Sequence, residues 1–255
     1  MRLLFLYLYN VNIKLFKRVI PSILRKQIFF SKFQIIDLGF CKINLNLKNS
    51  IDREIYLKGT YERDKINFLN KISRFNNIDY FLDVGSYIGY YSLFFNNIKN
   101  VYAFEPNERT FKILKKNVQI NNFNIKIHNF ACSSLKTKRK IWYIDENKMG
   151  GSSIDMNYDP EIFKYKKQNI KFETVNLNKL DNILCLKNKN ILMKIDVERH
   201  ELNALKGAEK LTRNNKITMQ IEIHDNLKAR VFNYLRRNNF YLINSIGQDY
   251  YFKNY

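Results

Sequence analysis

The chain has 255 residues, 45% hydrophobic and 15% aromatic, a composition that excludes a disordered chain and suffices for one α/β domain with an appendage. Its formal net charge of +21 suits a nucleic acid, an anionic glycan or a membrane surface as partner. The lysines are spread along the chain, however, and codon bias alone would also produce such an excess of basic residues. The three cysteines, Cys41, Cys132 and Cys185, lack metal-ligand spacing, which argues against a zinc site or a disulfide framework and favours a reducing, cytoplasmic location.

Residues 1–60 are predicted to form an N-terminal appendage made of a basic helix and a β-hairpin. The apolar segment Leu3 to Tyr9 is too short for a bilayer, which needs about 20 residues, and it lacks a small-residue cleavage site. The stretch up to Lys26 predicts a basic amphipathic helix, which we expect to pack on the core. Peripheral contact with the inner face of a membrane is the alternative. Residues 33–58 alternate apolar and polar positions, which predicts an antiparallel hairpin region.

Strands and helices alternate through residues 61–255, which are predicted to form the main domain. The patterns predict, in order, a helix with Ile66, Leu69 and Ile72 on one face, strand 80–84, helix 89–97, strand 101–105, a helix capped by Asn107, strand 125–130, strand 141–144 outside the alternation, strand 191–195, helix 201–211, strand 217–223, helix 229–237, and a hairpin of 240–243 with 249–252. This alternation predicts a largely parallel sheet with antiparallel edge strands from the closing hairpin. The polar stretch 145–170, with Gly150-Gly-Ser-Ser153, is predicted to be a long functional loop.

A glycine-containing turn follows the first strand of this domain, within the segment Phe81 to Gly89. Gly85 can adopt backbone angles that a side chain forbids, and Gly89 opens a helix whose N-terminus carries free N–H groups. Asp83 lies on the strand itself, and neither a Gly-x-Gly-x-x-Gly nor a Gly-x-x-x-x-Gly-Lys pattern occurs in the sequence. An acid beside the turn would repel a pyrophosphate but attract an ammonium group. S-adenosylmethionine, an amino acid and a sulfonium joined to adenosine, is therefore the predicted cofactor.

Glu105 supplies the second half of the predicted cofactor site. It ends the next strand, about 20 residues after Asp83, which is the spacing at which an acid meets ribose hydroxyls. Asp83 is predicted to support the ammonium group and Glu105 to accept the two ribose hydroxyls. The other predicted cofactor residues surround the turn: Gly85, Ser86, Tyr87, Gly89 and Pro106, with Asn129, Phe130 and Ala131 near the adenine and Tyr61 and Glu62 at the methionine end.

Two pairs of polar residues follow later strands and are the predicted catalytic residues. Asp196 and Glu198 follow one strand, and Glu222 and His224 end its neighbour. A hydroxyl acceptor must lose its proton as the new bond forms, so a base or a metal must assist. Asp196 and His224 are the two candidates for the base, and the choice between them stays open. A divalent metal held by the clustered carboxylates is an alternative that is not favoured.

These segments resemble the FkbM-type S-adenosylmethionine-dependent methyltransferase family. Asp83 to Ser92 is similar to its first motif, Ala103 to Pro106 to its second-strand acid, and Ile191 to Glu201 to its Lys-Ile-Asp-Val-Glu-Gly-x-Glu signature. The resemblance implies a class I, Rossmann-like α/β fold, with a seven-stranded, mostly parallel sheet whose last strand is antiparallel. It also implies methyl transfer to oxygen on sugars or other small hydroxyl compounds, often in polysaccharide biosynthesis. Arg199 departs from the family, which usually has glycine there, and a glycine with unusual backbone angles is not replaced cheaply.

The sequence therefore predicts an S-adenosylmethionine-dependent O-methyltransferase acting on a hydroxyl of a sugar, glycan or glycolipid precursor. An RNA methyltransferase that uses the basic surface is one alternative. Neither an Asp/Asn-Pro-Pro-Tyr/Phe motif nor a Pro-Cys nucleophile occurs in the sequence, so a nucleic acid is not the favoured partner. The other alternative is a non-catalytic protein of the same fold that binds a glycan or a membrane. The intact glycine turn and the clustered acids argue against it.

Overall fold

A computed structural model describes residues 7–9, 11, 14–26, 33–143, 154 and 170–255 of the chain. Most of the predicted loop 145–170, including Gly150 to Ser153, lies outside the described residues, and so does most of the apolar segment Leu3 to Tyr9. Within the described residues, no helix combines the length and the apolar character that crossing a membrane would require.

Helices and strands are numbered in chain order within the described residues. The helices are α1 (Lys14–Lys26), α2 (Ser50–Lys58), α3 (Arg63–Phe75), α4 (Tyr90–Phe94), α5 (Glu108–Asn121), α6 (Glu201–Lys206), α7 (Glu209–Arg213) and α8 (Asp225–Arg237). The strands are β1 (Phe33–Asp37), β2 (Lys42–Asn46), β3 (Tyr80–Val84), β4 (Asn100–Phe104), β5 (Ile125–His128), β6 (Ala131–Cys132), β7 (Thr137–Tyr143), β8 (Lys171–Asn178), β9 (Asn190–Ile195), β10 (Lys216–Glu222), β11 (Tyr241–Ile246) and β12 (Asp249–Lys253).

The central sheet of the described residues has seven strands in the order β11-β12-β10-β9-β3-β4-β5. Neighbouring strands from β10 to β5 are parallel, whereas β12 runs antiparallel to β10 and to β11. The expected seven-stranded, mostly parallel sheet with an antiparallel last strand is therefore confirmed. The strand order reverses between β3 and β9, and sheets of this kind form a ligand-binding crevice beyond the carboxyl ends of the strands at that point.

Apolar side chains cover both faces of this sheet, because successive residues of a strand point to opposite faces. One buried cluster includes Phe81 of β3 and Leu69 of α3, together with residues of the N-terminal hairpin. The other includes the next strand residue, Leu82, packed with Leu205 of α6 and Val231 of α8. The two clusters hold the strand ends in fixed positions, and those ends carry the polar residues of the predicted site.

The N-terminal residues pack against the first of these clusters. Ile20 and Leu24 of α1 are buried, as expected for a helix packed on the core, and membrane contact stays a prediction. The predicted hairpin is present as β1 and β2, but residues 50–58 form helix α2 instead of continuing it. The physical reason is that Ile51 and Ile55 are four residues apart and lie on one helical face. The boundary at residue 60 likewise stays a prediction.

Two further features differ from the sequence prediction. The extra strand predicted at 141–144 belongs to a separate three-stranded sheet in the order β6-β8-β7, whose middle strand was not predicted. The helix predicted over 201–211 is divided into α6 and α7 at Gly207, where an added Cβ would lie 2.0 Å from the Ser133 carbonyl oxygen. The Asp181 carboxylate accepts hydrogen bonds from two N–H groups of α7, at 2.8 and 2.9 Å, and so fixes its start.

Candidate active site

A cavity of about 220 Å³ lies beyond the carboxyl ends of β3, β4, β9 and β10. The predicted site residues that line it are Tyr61, Glu62, Asp83, Gly85, Ser86, Tyr87, Glu105, Pro106, Phe130, Ala131, Asp196, Glu198 and Glu222. Gly89, Asn129 and His224, which were also predicted for the site, are not among the described residues that line it. The fold therefore brings most of the predicted cofactor residues together with three of the four predicted catalytic residues.

Asp83 is a buried acid that lines the cavity. Its Oδ2 accepts hydrogen bonds from the backbone N–H of Ser92 at 3.0 Å and from the Ser92 hydroxyl at 2.6 Å. Its Oδ1, like the nearby Ser86 hydroxyl, is buried and has no hydrogen-bond partner among the described residues. Burial raises the pKa of Asp83, although Lys194 opposes that shift. Unpartnered buried polar atoms are costly, so these two atoms mark a place where a polar ligand group would be satisfied.

The two glycines of the turn have separate structural reasons. Both have positive φ, +83° at Gly85 and +88° at Gly89. A Cβ on Gly85 would lie 1.8 Å from the backbone oxygen of Asp196, so this glycine lets the turn after β3 touch the loop after β9. A Cβ on Gly89 would lie 2.5 Å from Leu114 Cδ1, so this glycine permits the expected close packing at the start of α4. Gly89 thus permits the contact between the start of α4 and Leu114, behind the turn.

Glu105 is held in place by three hydrogen-bond donors, from the turn after β3, from its own loop and from α5. Its Oε1 accepts from the backbone N–H of Asn107 at 2.9 Å and from the Thr110 hydroxyl at 3.0 Å, and its Oε2 accepts from the Tyr87 N–H at 2.9 Å. Burial raises the pKa of Glu105 to about 7 despite these donors. Because a carboxylate oxygen can accept two hydrogen bonds, Oε2 retains capacity for a ligand hydroxyl.

The remaining predicted cofactor residues divide between the cavity wall and its support. Pro106, Phe130 and Ala131 line the cavity, whereas the Asn129 side chain donates to the carbonyl oxygens of Glu105 and Pro106 at 3.0 and 3.1 Å. Asn129 therefore fixes the loop that carries Glu105. At the opposite end, Glu62 accepts a hydrogen bond from the Tyr91 hydroxyl at 2.8 Å.

The acids at the carboxyl ends of β9 and β10, Asp196 and Glu222, lie close to a buried lysine. Lys194 Nζ lies 2.9 Å from Asp196 Oδ2 and 4.8 Å from the centre of the Tyr91 ring. Burial opposes the charge on Asp196, but the Lys194 ammonium holds its pKa below the usual range. Burial, together with the negative charge of Asp196, raises the pKa of Glu222 to about 9. Glu222 is therefore protonated near neutrality and hydrogen-bonds to the Asp196 carboxylate.

The loop after β9 contains Arg199, at the position where the family that the sequence resembles usually has glycine. Glu198 and Arg199 have positive φ, +49° and +75°, so the backbone is left-handed where glycine would be at ease. Glu201 Oε1 accepts from the Arg199 N–H at 2.8 Å and stabilises this turn. Glu198 lies outside β9, which ends at Ile195. The alternation of side chains along a strand therefore does not determine the direction of the Glu198 side chain.

Some described lining residues were not predicted for the site. His200 lines the cavity, but its Nε2 pairs with the Ser133 hydroxyl at 3.0 Å and burial lowers its pKa to about 4. It is the N-cap residue of α6. Ile51 and Ile55 of α2 also line the cavity. Their spacing of four residues was the only signal in the sequence, and it indicates a helix. The tertiary packing of α2 was needed to show that this helix reaches the cavity.

His224, the other candidate for the base, is the N-cap residue of α8. No group of three or more His, Cys, Asp or Glu side chains that could hold a metal ion occurs among the described residues.

The sheet order and the acid-tipped strands around the cavity define a class I methyltransferase fold. A family model described as "Methyltransferase FkbM domain" matches residues 83–242, more than half of the chain, and the chain belongs to this family. No curated protein matches it in sequence.

The chain is similar to several solved methyltransferase structures. The FkbM methyltransferase of Methylobacillus flagellatus KT is 17% identical over 70% of this chain and 44% of that one, with a TM-score of 0.46. The Pyrococcus abyssi tRNA (uracil-54, C5)-methyltransferase is 12% identical over 88% and 43%, with a TM-score of 0.46. The human methyltransferase 10 domain containing protein is 12% identical over 91% and 95%, with a TM-score of 0.48. The chain thus spans less than half the length of the first two.

Proposed function

We propose that this chain transfers a methyl group from S-adenosylmethionine to a hydroxyl oxygen of a sugar, glycan or glycolipid precursor. The observation that carries the proposal is the composition of one cavity. Asp83, which has one oxygen without a partner among the described residues, and Glu105 line the same cavity as Lys194, Asp196 and Glu222. In this proposal a cofactor site and a proton-accepting site share one cavity.

The residues present fit this cofactor. Asp83 Oδ1 lacks a partner among the described residues and would accept a hydrogen bond from the ammonium of the methionine moiety, directly or through water. Glu105 Oε2 has capacity for the ribose hydroxyls, and Phe130 and Ala131 offer an apolar wall for the adenine. When bound, S-adenosylmethionine supplies an electrophilic methyl group on a sulfonium. The acids of the cavity also favour a cation over a phosphate.

Asp196 is the base in this proposal. It lines the cavity, whereas His224 is not among the described lining residues. The Lys194 ammonium keeps Asp196 ionised, and protonated Glu222 donates to it, so the pair presents one carboxylate and one carboxylic acid. A carboxylate of low pKa suffices as the proton acceptor, because the acceptor oxygen becomes strongly acidic as its bond to the methyl group forms. These side chains also align the acceptor hydroxyl, and this alignment supplies the rest of the rate acceleration.

The site chemistry supports a sugar-like acceptor. The acids and the tyrosine hydroxyls of the cavity can hydrogen-bond to neighbouring hydroxyl groups, and its aromatic rings can pack on the apolar face of a pyranose. The lining residues of these kinds are Tyr61, Tyr90, Tyr91, Glu62, Asp196, Glu198 and Glu222. The hydrogen-bonding groups would discriminate against an acceptor that lacks matching hydroxyls.

The test measures transfer of a radiolabelled methyl group to a panel of acidic and neutral glycans, with total RNA as the competing acceptor. The wild-type protein should label a glycan, and Asp196→Asn should lose at least about a hundredfold in rate while still binding S-adenosylhomocysteine. Label in RNA alone would refute the glycan assignment. Full activity in Asp196→Asn would refute the role of the base, and activity that is lost on chelation would restore the metal alternative.

A further inference from the structure

Helix α2, outside the segment that matches the family, contributes a wall and a buried acid to the cavity region. Ile51 and Ile55 line the cavity, and Asp52 between them is fully buried. The Asp52 oxygens accept hydrogen bonds from neutral groups: Oδ2 from the backbone N–H of Asn46 at 2.6 Å, and Oδ1 from the Tyr87 hydroxyl at 2.8 Å. A buried carboxylate destabilises the fold unless hydrogen-bond donors satisfy its oxygens, so Asp52 depends on these two donors.

Tyr87 connects this acid to the predicted ribose site. It lies in the turn after β3 with a φ of +51°, a left-handed conformation that costs a non-glycine residue about 1 kcal/mol. Its backbone N–H donates to Glu105 Oε2 at 2.9 Å, while its hydroxyl donates to Asp52. The strained residue is thus held at both ends, by an acid on each side.

We propose that Asp52 is a positioning residue for the cofactor: through the Tyr87 hydroxyl it holds the turn after β3, and with it Glu105, in the conformation that binds the ribose. This proposal rests on the proposed use of S-adenosylmethionine. Asp52 itself touches neither the cofactor nor the reacting atoms. Its effect is transmitted by two hydrogen bonds, from Tyr87 to Asp52 and from Tyr87 to Glu105. The N-terminal region is then a functional part of the cofactor site.

The experiment measures the Kd for S-adenosylhomocysteine by isothermal titration in full-length wild type, Tyr87→Phe, Asp52→Ala and the double variant. Each single variant should weaken binding by about tenfold, the loss expected for one well-placed hydrogen bond. The double variant should bind no more weakly than the weaker single variant, because both substitutions break the same link. Tyr234→Phe is the matched control. It removes the hydroxyl of a tyrosine that is not among the described lining residues, whose contact with the Leu205 carbonyl oxygen is long at 3.5 Å, and should bind like wild type.

The outcomes separate this proposal from the proposed function. Tyr87→Phe removes one oxygen and keeps the ring, so it tests the link even where Asp52→Ala does not fold. A hydroxyl with a purely structural role would lower the free energy of unfolding and leave Kd unchanged, and that result would overturn the proposal. Additive losses, about a hundredfold in the double variant, would also overturn it. If wild type itself does not bind S-adenosylhomocysteine, the proposed function fails as well.

Discussion

Replacement of Glu222 by glutamine should change how the stability of the protein depends on pH. The pKa of Glu222 is raised from its ordinary 4.5 to about 9, so the folded protein keeps a proton that the unfolded chain releases. A carboxyl with a raised pKa stabilises the fold fully below its unfolded pKa and loses that contribution as the pH rises toward the folded pKa. The glutamine amide donates to Asp196 as the protonated carboxyl does, but it does not titrate.

The expected magnitude follows from the width of this window. Each pH unit between the two pKa values is worth about 1.4 kcal/mol, so wild type should lose about 4 kcal/mol relative to Glu222→Gln between about pH 5 and about pH 8. Asp196 does not offset this trend. Its pKa is lowered from 3.8, so its contribution is present above that value and is lost only at more acidic pH.

Urea unfolding at both pH values, followed by circular dichroism, gives the two free energies of unfolding. Glu209→Gln is the matched control, because Glu209 forms an exposed pair with Arg213 and its substitution should change stability by less than about 1 kcal/mol at either pH. A stability difference between wild type and Glu222→Gln that is the same at both pH values would refute the assignment of a proton to Glu222.

Substitutions at Gly85, Arg199 and Asn107, each compared with a matched variant, test the backbone around the site by urea unfolding. Gly85→Ala should cost about 3 kcal/mol or more, since its Cβ would collide with the Asp196 backbone; Gly59→Ala, also at positive φ but with no atom within 4 Å, should cost about 1 kcal/mol, and equal losses would contradict the collision. Arg199→Gly should be more stable than Arg199→Ala by about 1 kcal/mol, because only glycine relieves a φ of +75°, and the reverse order would disprove strain there. Asn107→Ala should lose about 1–2 kcal/mol by removing the oxygen that accepts two N–H groups of α5, whereas Asn107→Ser should lose less, and similar losses would argue against capping.

Local patterns predicted the elements whose signals lie within a few residues. The strand from Tyr80 to Val84 and the cap at Asn107 were readable because apolar runs, turn glycines and capping side chains act over short distances. The need for glycine at residue 207 was not readable, because a side chain there would collide with the backbone of Ser133, far away in sequence. Helix α2 was missed because, in a segment this short, the same apolar positions fit both the alternation of a strand and the spacing of a helix.

The sequence alone predicted the residues of the site: the acid of β3 and the glycines of the turn after it, the acid after β4, and the acids at the carboxyl ends of β9 and β10. It could do so because parallel strands with helical connections bring their carboxyl ends to one edge of the sheet. Tertiary structure decided which of these side chains share the cavity, admitting Asp196 and Glu222 but not His224 among the described lining residues. It also decided their protonation, since burial and the Lys194 ammonium act only when residues distant in sequence are packed together.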